Sequence, residues 1–69
     1  MIVTSQVIES AYEQACIELA MMDSSYTIYE QSGEGYYDMQ NGKYYYRVYT
    51  VYQTPAGGYG AFATLYELQ

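Results

Sequence analysis

The sequence predicts a single α+β domain in which one N-terminal helix packs on an antiparallel meander of three or four strands. Three observations lead to this fold class. Apolar residues recur every three or four positions in the first third of the chain. Everything after residue 25 is rich in tyrosine, threonine and valine, which favour strands. Asn41-Gly42 lies between two such segments and is a strong hairpin signal. With 69 residues, the chain is expected to form one domain over 1–69.

The helix is expected over residues 5–22. Thr4 or Ser5 can accept hydrogen bonds from its first free amides. Ile17 and Met21 lie one turn apart, away from the apolar stripe, and are a weak candidate for a contact. The stripe itself consists of Ile8, Ala11, Tyr12, Ala15, Leu19 and Met22. One apolar stripe on a helix must cover one apolar face of a sheet, which gives a two-layer domain.

Strands are expected over about residues 25–31, 36–40, 43–53 and 59–67. Ser32–Gly35, with the sequence SGEG, is expected to separate the first two strands, and TPAGG separates the last two. A two-residue turn at Asn41-Gly42 would pair Gln40 with Lys43 and Asp38 with Tyr45.

Side chains alternate between the faces of a strand, so this register predicts two sets. The helix-facing set is Tyr37, Met39, Tyr44, Tyr46 and Val48. The outward set is Tyr36, Asp38, Gln40, Lys43, Tyr45, Arg47, Tyr49 and Val51. In the last strand we favour Phe62, Tyr66 and Leu68 inward, although a slip of one residue would exchange them with Ala61, Ala63 and Leu65. The core tyrosines are expected to be Tyr12, Tyr37, Tyr44 and Tyr46.

The net charge is −6, from eight acidic and two basic residues. Nucleic acid and anionic membranes both require a positive surface, so neither is expected as a direct partner. A basic protein surface fits this charge better, although solubility alone also explains it. No apolar run approaches the length of a membrane span, and no signal-peptide pattern follows Met1. We therefore expect a cytoplasmic protein.

An enzyme is not expected. The chain has no histidine, and its single cysteine, Cys16, has no base or cation near it in sequence; a half-buried small side chain is the expected role. Glu9 and Glu13 lie one turn apart and are read as a solvated acidic face. The glycine-rich segments match no phosphate-binding motif and the acids match no calcium loop. Catalytic residues, metal and cofactor are thus expected to be none.

Tyrosine is the abundant residue that remains, with twelve copies. Its large rigid ring and polar tip suit binding surfaces, and a domain this small cannot bury all twelve. Exposed Tyr36, Tyr45 and Tyr49, with Tyr29 or Tyr59, would form a contact patch. Lys43 and Arg47 are expected to pair with Asp38 or to stack on neighbouring rings.

In size, charge and helix-plus-sheet plan, the chain resembles the small acidic anti-CRISPR proteins that phages and mobile elements encode. The resemblance involves no motif. It implies an inhibitor in the host cytoplasm that mimics DNA and blocks the basic nucleic-acid-binding surface of a CRISPR effector. The expected partner-binding residues are Glu30, Glu34, Tyr36, Asp38, Tyr45 and Tyr49. Two alternatives stay open: a small homo-oligomeric structural protein, with a homodimer as its simplest form, and an aromatic platform that binds carbohydrate.

Overall fold

The computed structural model describes residues 3–69, so residues 1–2 of the expected domain lie outside the described residues. Its elements are α1 (Ser5–Met22), β1 (Thr27–Asp38), β2 (Lys43–Gln53) and β3 (Tyr59–Glu67). Within residues 3–69, the three strands form one antiparallel sheet in the order β1-β2-β3. Helix α1 packs on one face of the sheet, over β2 and β3. The expected α+β class is confirmed, with three strands after the helix.

The helix begins where the sequence predicts, because the Thr4 hydroxyl accepts a hydrogen bond from the Val7 amide at 3.2 Å. The buried core is small and consists of Ala11, Ala15, Leu19 and Val48. Alanines allow the helix backbone to approach the sheet closely, and tyrosine rings fill the margin of the contact. The end of the expected stripe was wrong, because Met22 is exposed. Cys16 is exposed rather than half-buried.

The predicted break between the first two strands was wrong, since Ser32–Gly35 lies inside β1. The physical reason is a close approach between Gly33 and the Tyr46 ring. A Cβ atom built on Gly33 would lie 2.5 Å from the ring. Glycine therefore serves here to admit a tyrosine ring against the strand rather than to end the strand. Gly60 in β3 admits the ring of Tyr52 in the same way, because a Cβ atom there would overlap that ring.

The hairpin was correctly placed, but its predicted register was wrong by two residues. Asp38 pairs with Lys43, which leaves the four residues 39–42 in the loop. The Gly42 amide donates to the Asp38 carbonyl at 2.8 Å, and the Asp38 carboxylate accepts from the Gln40 amide at 2.9 Å. Of the loop residues, Gly42 has a positive φ of 69° while Asn41 does not. A type I′ turn needs positive φ at both positions, so a longer loop forms.

A two-residue error leaves every side chain on its predicted face, because side chains alternate with a period of two. The outcome differs for the core tyrosines. Tyr12 and Tyr46 pack on the core, whereas Tyr37 and Tyr44 remain 47% and 45% exposed. They lie on the helix side of the sheet but near its hairpin end, where the centres of their two rings are 4.5 Å apart. Met39, expected on the inner face, is in the loop and exposed.

The favoured facing of the last strand is confirmed. Phe62 pairs with Thr50 and Tyr66 with Tyr46, both on the helix side. The inner face is also partly polar. Thr64 is buried and its hydroxyl donates to Glu18 on α1. This hydrogen bond replaces the bonds to water that the Thr64 hydroxyl loses when it is buried.

Candidate functional site: the outer face of the sheet

The candidate site is the face of the sheet opposite α1, which we call the outer face. Of the residues that the structure describes, none packs across it. The pairing of β1 with β2 places all the predicted partner-binding residues on this face. They are Glu30, Glu34, Tyr36, Asp38, Tyr45 and Tyr49. The residues predicted from the sequence thus form one continuous surface. They differ in the hydrogen bonds and ion pairs that they make within the protein.

Arg47 lies at the centre of the outer face, between two tyrosine rings. Its guanidinium carbon is 4.4 Å from the centre of the Tyr36 ring and 5.1 Å from that of Tyr49. Its Nη2 donates to Glu34 Oε1 at 2.6 Å, and the Tyr49 hydroxyl donates to the same oxygen at 3.2 Å. Arginine suits this position because it can stack and form an ion pair at once. We call these four residues the Arg47 cluster.

The cluster shifts the ionisation of both charged members. Hydrogen bonds from Arg47, and then from Tyr49, lower the pKa of Glu34 below its ordinary value. The hydrogen bond to Glu34 raises the pKa of Arg47. Both shifts favour the charged forms. Glu34 is therefore a structural anion that fixes Arg47 between its rings, and its charge is already neutralised within the protein.

The hairpin end of the outer face is also internally bonded. Lys43 forms an ion pair with Glu67 of β3 at 3.2 Å, and Asn41 donates to the Tyr45 hydroxyl at 2.9 Å. The predicted pairing of the cations with Asp38 was wrong: Asp38 accepts a hydrogen bond in the loop, and the true register brings Glu34 opposite Arg47. The alternative prediction, stacking on neighbouring rings, is confirmed for Arg47.

At the other end of the outer face, Tyr29 and Tyr59 meet edge to face with their ring centres 5.0 Å apart. A register irregularity between Ile28 and Glu30 lies beside this pair. The Glu30 carboxylate is exposed, and no ion pair within residues 3–69 involves it. Glu30 is therefore the predicted carboxylate that is free to meet a partner.

Apart from Tyr59, sequence reasoning assigned no residue of β3 to this face. Its outward side chains continue the surface beyond β2. They are Tyr59, Ala61, Ala63, Leu65 and Glu67. The inward preference for Phe62 and Tyr66 already implied this set by alternation. Its importance comes from pairing, since Leu65 lies opposite Arg47 and Glu67 binds Lys43.

Other kinds of site find little support among residues 3–69. No group of three or more histidine, cysteine or acidic residues there could hold a metal ion. A shallow pocket of about 310 Å³ opens at the hairpin end and is lined by Val3, Gly35, Tyr36, Tyr37, Tyr44, Tyr45 and Leu68. Its lining includes no carboxylate, amine or thiol, and its ionisable groups are the tyrosine hydroxyls. No helix in the described part of the chain is long and apolar enough to cross a membrane.

Comparison with known proteins gives no relative: no family model, curated protein or solved structure matches this chain. The geometry of the outer face is therefore the basis for assigning a function.

Proposed function

We propose that the protein is a non-enzymatic inhibitor that binds another protein through its outer face. Its partner in this proposal is a basic surface that normally holds nucleic acid, as in a CRISPR effector. One observation carries the proposal. The outer face is a tyrosine-rich surface, uncovered by any described residue, on which both basic side chains are ion-paired.

The Arg47 cluster supports the proposal because its rings are already held in place. Binding normally costs free energy to immobilise side chains, and rings that are fixed beforehand reduce that cost. Tyr36 and Tyr49 are fixed by stacking on Arg47, and Tyr45 by Asn41. Rigid aromatic anchors of this kind are common at the centre of protein interfaces.

Charge supports a basic partner. Lys43 and Arg47 are matched by Glu67 and Glu34, so the net charge of −6 resides on the remaining acids. Glu30 provides such a charge on the outer face. A partner with exposed lysine and arginine would be attracted over a distance of about 10 Å at moderate salt, and high salt would weaken the complex.

The test measures whether the protein prevents guide-loaded CRISPR effectors of several types from binding labelled target DNA. We expect inhibition of at least one effector, and Glu30→Lys should weaken it about tenfold or more, because a like charge then faces the basic partner. Glu34 and Asp38 are less suitable for reversal because both bind within the protein.

Glu13→Lys is the matched control, since it makes the same charge change at an exposed position on α1. It should change inhibition by no more than about twofold, an effect of long-range charge alone. Failure to inhibit any effector, or equal loss for both variants, would contradict the proposal.

A further inference from the structure

The free edge of β3 carries a second inference, which is independent of the proposed function. Within residues 3–69, β3 is an edge of the sheet. The Leu68 amide donates to the Tyr44 carbonyl at 2.8 Å, so even-numbered residues of β3 direct their backbone groups toward β2. The odd-numbered residues direct their backbone N–H and C=O groups away from β2, toward the free edge of the sheet. They are Tyr59, Ala61, Ala63, Leu65 and Glu67.

This edge lacks the usual protection against pairing. Native edge strands commonly carry lysine, proline or a bulge that blocks another strand. Tyr59–Glu67 contains neither lysine nor proline, and its pairing with β2 is regular along its whole length. The opposite edge, β1, has a register irregularity beside Glu30. An unprotected strand of nine residues is a template for another strand.

We propose that β3 pairs antiparallel with β3 of a second copy of this chain, about a two-fold axis at Ala63. The register places Ala63 opposite itself and Ala61 opposite Leu65 of the second copy, so a small side chain meets a large one. Glu67 of each copy lies opposite Tyr59 of the other, and the two Glu67 carboxylates are roughly 27 Å apart. In each strand, five residues have backbone groups that point toward the free edge. Paired with the second copy, they would form about ten backbone hydrogen bonds.

The same axis brings the two helices together. Helix α1 lies over β2 and β3; strands about 4.8 Å apart then place the two helix axes roughly 10 Å apart, a distance at which helices pack. Tyr12 faces Tyr46 of β2 and Glu18 faces Thr64 of β3. Going round the helix from Tyr12 past Glu18, the apolar side chains that follow are Val7, near the start of the helix, then Met21, and then Ile17, which is turned further from the sheet.

Met21 therefore lies on the β3 side of α1, with Ile17 one turn before it and further from the sheet, and the contact of Glu18 with Thr64 places both near the axis at Ala63. Met21 is 81% exposed and Ile17 is 53% exposed. In the dimer, Met21 and Ile17 of one chain would meet Met21 and Ile17 of the second chain across the axis, as self-complementary contacts require. Burial of these four side chains favours a second copy over an unrelated strand as the occupant.

Pairing also enlarges the outer face. One sheet of three strands about 30 Å long offers on the order of 400 Å², half of what one partner contributes to a stable interface. Two copies related by an axis perpendicular to the sheet present their outer faces on the same side. The combined surface, about 800 Å², reaches the area that one partner contributes to an ordinary protein interface.

The experiment is light scattering after size-exclusion chromatography, over a range of protein concentrations. The wild-type protein should show twice the chain mass of 7.9 kDa. Ala63→Lys sets two like charges opposite each other at the axis, and Met21→Lys sets two charges between the helices; each should give a monomer. Ala20→Lys, one position from Met21 and also exposed, should stay dimeric.

Mixing Ala63→Lys with Ala63→Glu should restore the dimer as a heterodimer, which distinguishes lost pairing from lost folding. Salt provides a further criterion: it should strengthen pairing between two chains of net charge −6, opposite to its effect on a basic partner. A monomeric wild type, or a dimer that persists in Ala63→Lys, would overturn the inference.

Discussion

Arg47 is held by two aromatic rings as well as by its ion pair. Its guanidinium carbon lies over the rings of Tyr36 and Tyr49, while Nη2 donates to Glu34. Its Nε is buried and has no hydrogen-bond partner within residues 3–69. The hydrogen bonds of the guanidinium are therefore incomplete, and the two rings help to fix its position. Lysine could not reproduce this stacked arrangement.

We expect Arg47→Lys to lower the free energy of unfolding more than Lys43→Met does. The first change loses both stacking contacts and the short bond to Glu34, whereas the second loses only an exposed ion pair with Glu67. Urea denaturation followed by circular dichroism measures both. Equal effects would mean that the stacked geometry contributes nothing beyond charge.

The lowered pKa of Glu34 predicts a pH dependence of stability. Its contribution should be fully present above 4.5, the ordinary pKa, and should be lost as the pH falls through the lower pKa of the folded state. The stability difference between wild type and Glu34→Gln should therefore be wide at about pH 7 and should narrow as the pH falls through the lowered pKa of Glu34. Tyr49→Phe removes one of the two donors to Glu34 and should give a smaller version of the same curve. A difference that does not vary with pH would refute this role.

At the scale of the elements, two glycines of β1 have different surroundings. Gly33 lies under the Tyr46 ring, while the space around a Cβ on Gly35 is empty. Both positions are in the same strand and two residues apart. They therefore separate the effect of a close ring contact from the general effect of glycine in a strand.

Gly33→Ala should destabilise the protein by about 1–3 kcal/mol, the usual effect of forcing an extra carbon into a packed contact. Gly35→Ala should be neutral or stabilising by up to about 1 kcal/mol, because alanine reduces the freedom of the unfolded chain. Thermal and urea unfolding of both variants provide the measurement. Similar losses at the two positions would mean that the Tyr46 contact is not the cause.

The elements also show what sequence patterns can predict. Helix α1 followed from apolar spacing and a capping threonine, and β2 and β3 followed from residue type between clear turn signals. The merger of two predicted strands into β1 could not be read in the same way. Local glycine content indicates a turn, and only the tertiary contact with Tyr46 explains why glycine occurs in mid-strand.

The candidate site was predictable to the level of its face. Alternation placed Tyr36, Tyr45 and Tyr49 together, and a register error of two residues preserved that result. The individual contacts depended on the true register, which brought Glu34 to Arg47. Ion pairs between strands therefore needed the structure, whereas the choice of face needed only periodicity.

For the molecule as a whole, the small core implies that stability depends on few side chains. Val48 is fully buried against the alanines of α1, while Val51 lies partly exposed on the outer face. These valines are in the same strand but on opposite faces of one sheet. A domain of this size has little stability in reserve.

Val48→Ala should lower the free energy of unfolding by about 2 kcal/mol, and Val51→Ala by less than about 1 kcal/mol. The same chemical change thus compares the covered face with the outer face. Chemical denaturation at a fixed protein concentration gives both values. A larger loss at Val51 would indicate that the outer face is already buried in solution, as in an assembly that closes over it.

The fit of tyrosine rings over glycines also has an evolutionary consequence. Gly33 and Tyr46 are far apart in sequence, yet each limits what the other position can be. In any relative of this chain, a larger residue at position 33 should accompany a smaller one at position 46, and the same should hold for positions 60 and 52. Such paired changes would leave a covariation signal that marks the strand order β1-β2-β3 without any structure.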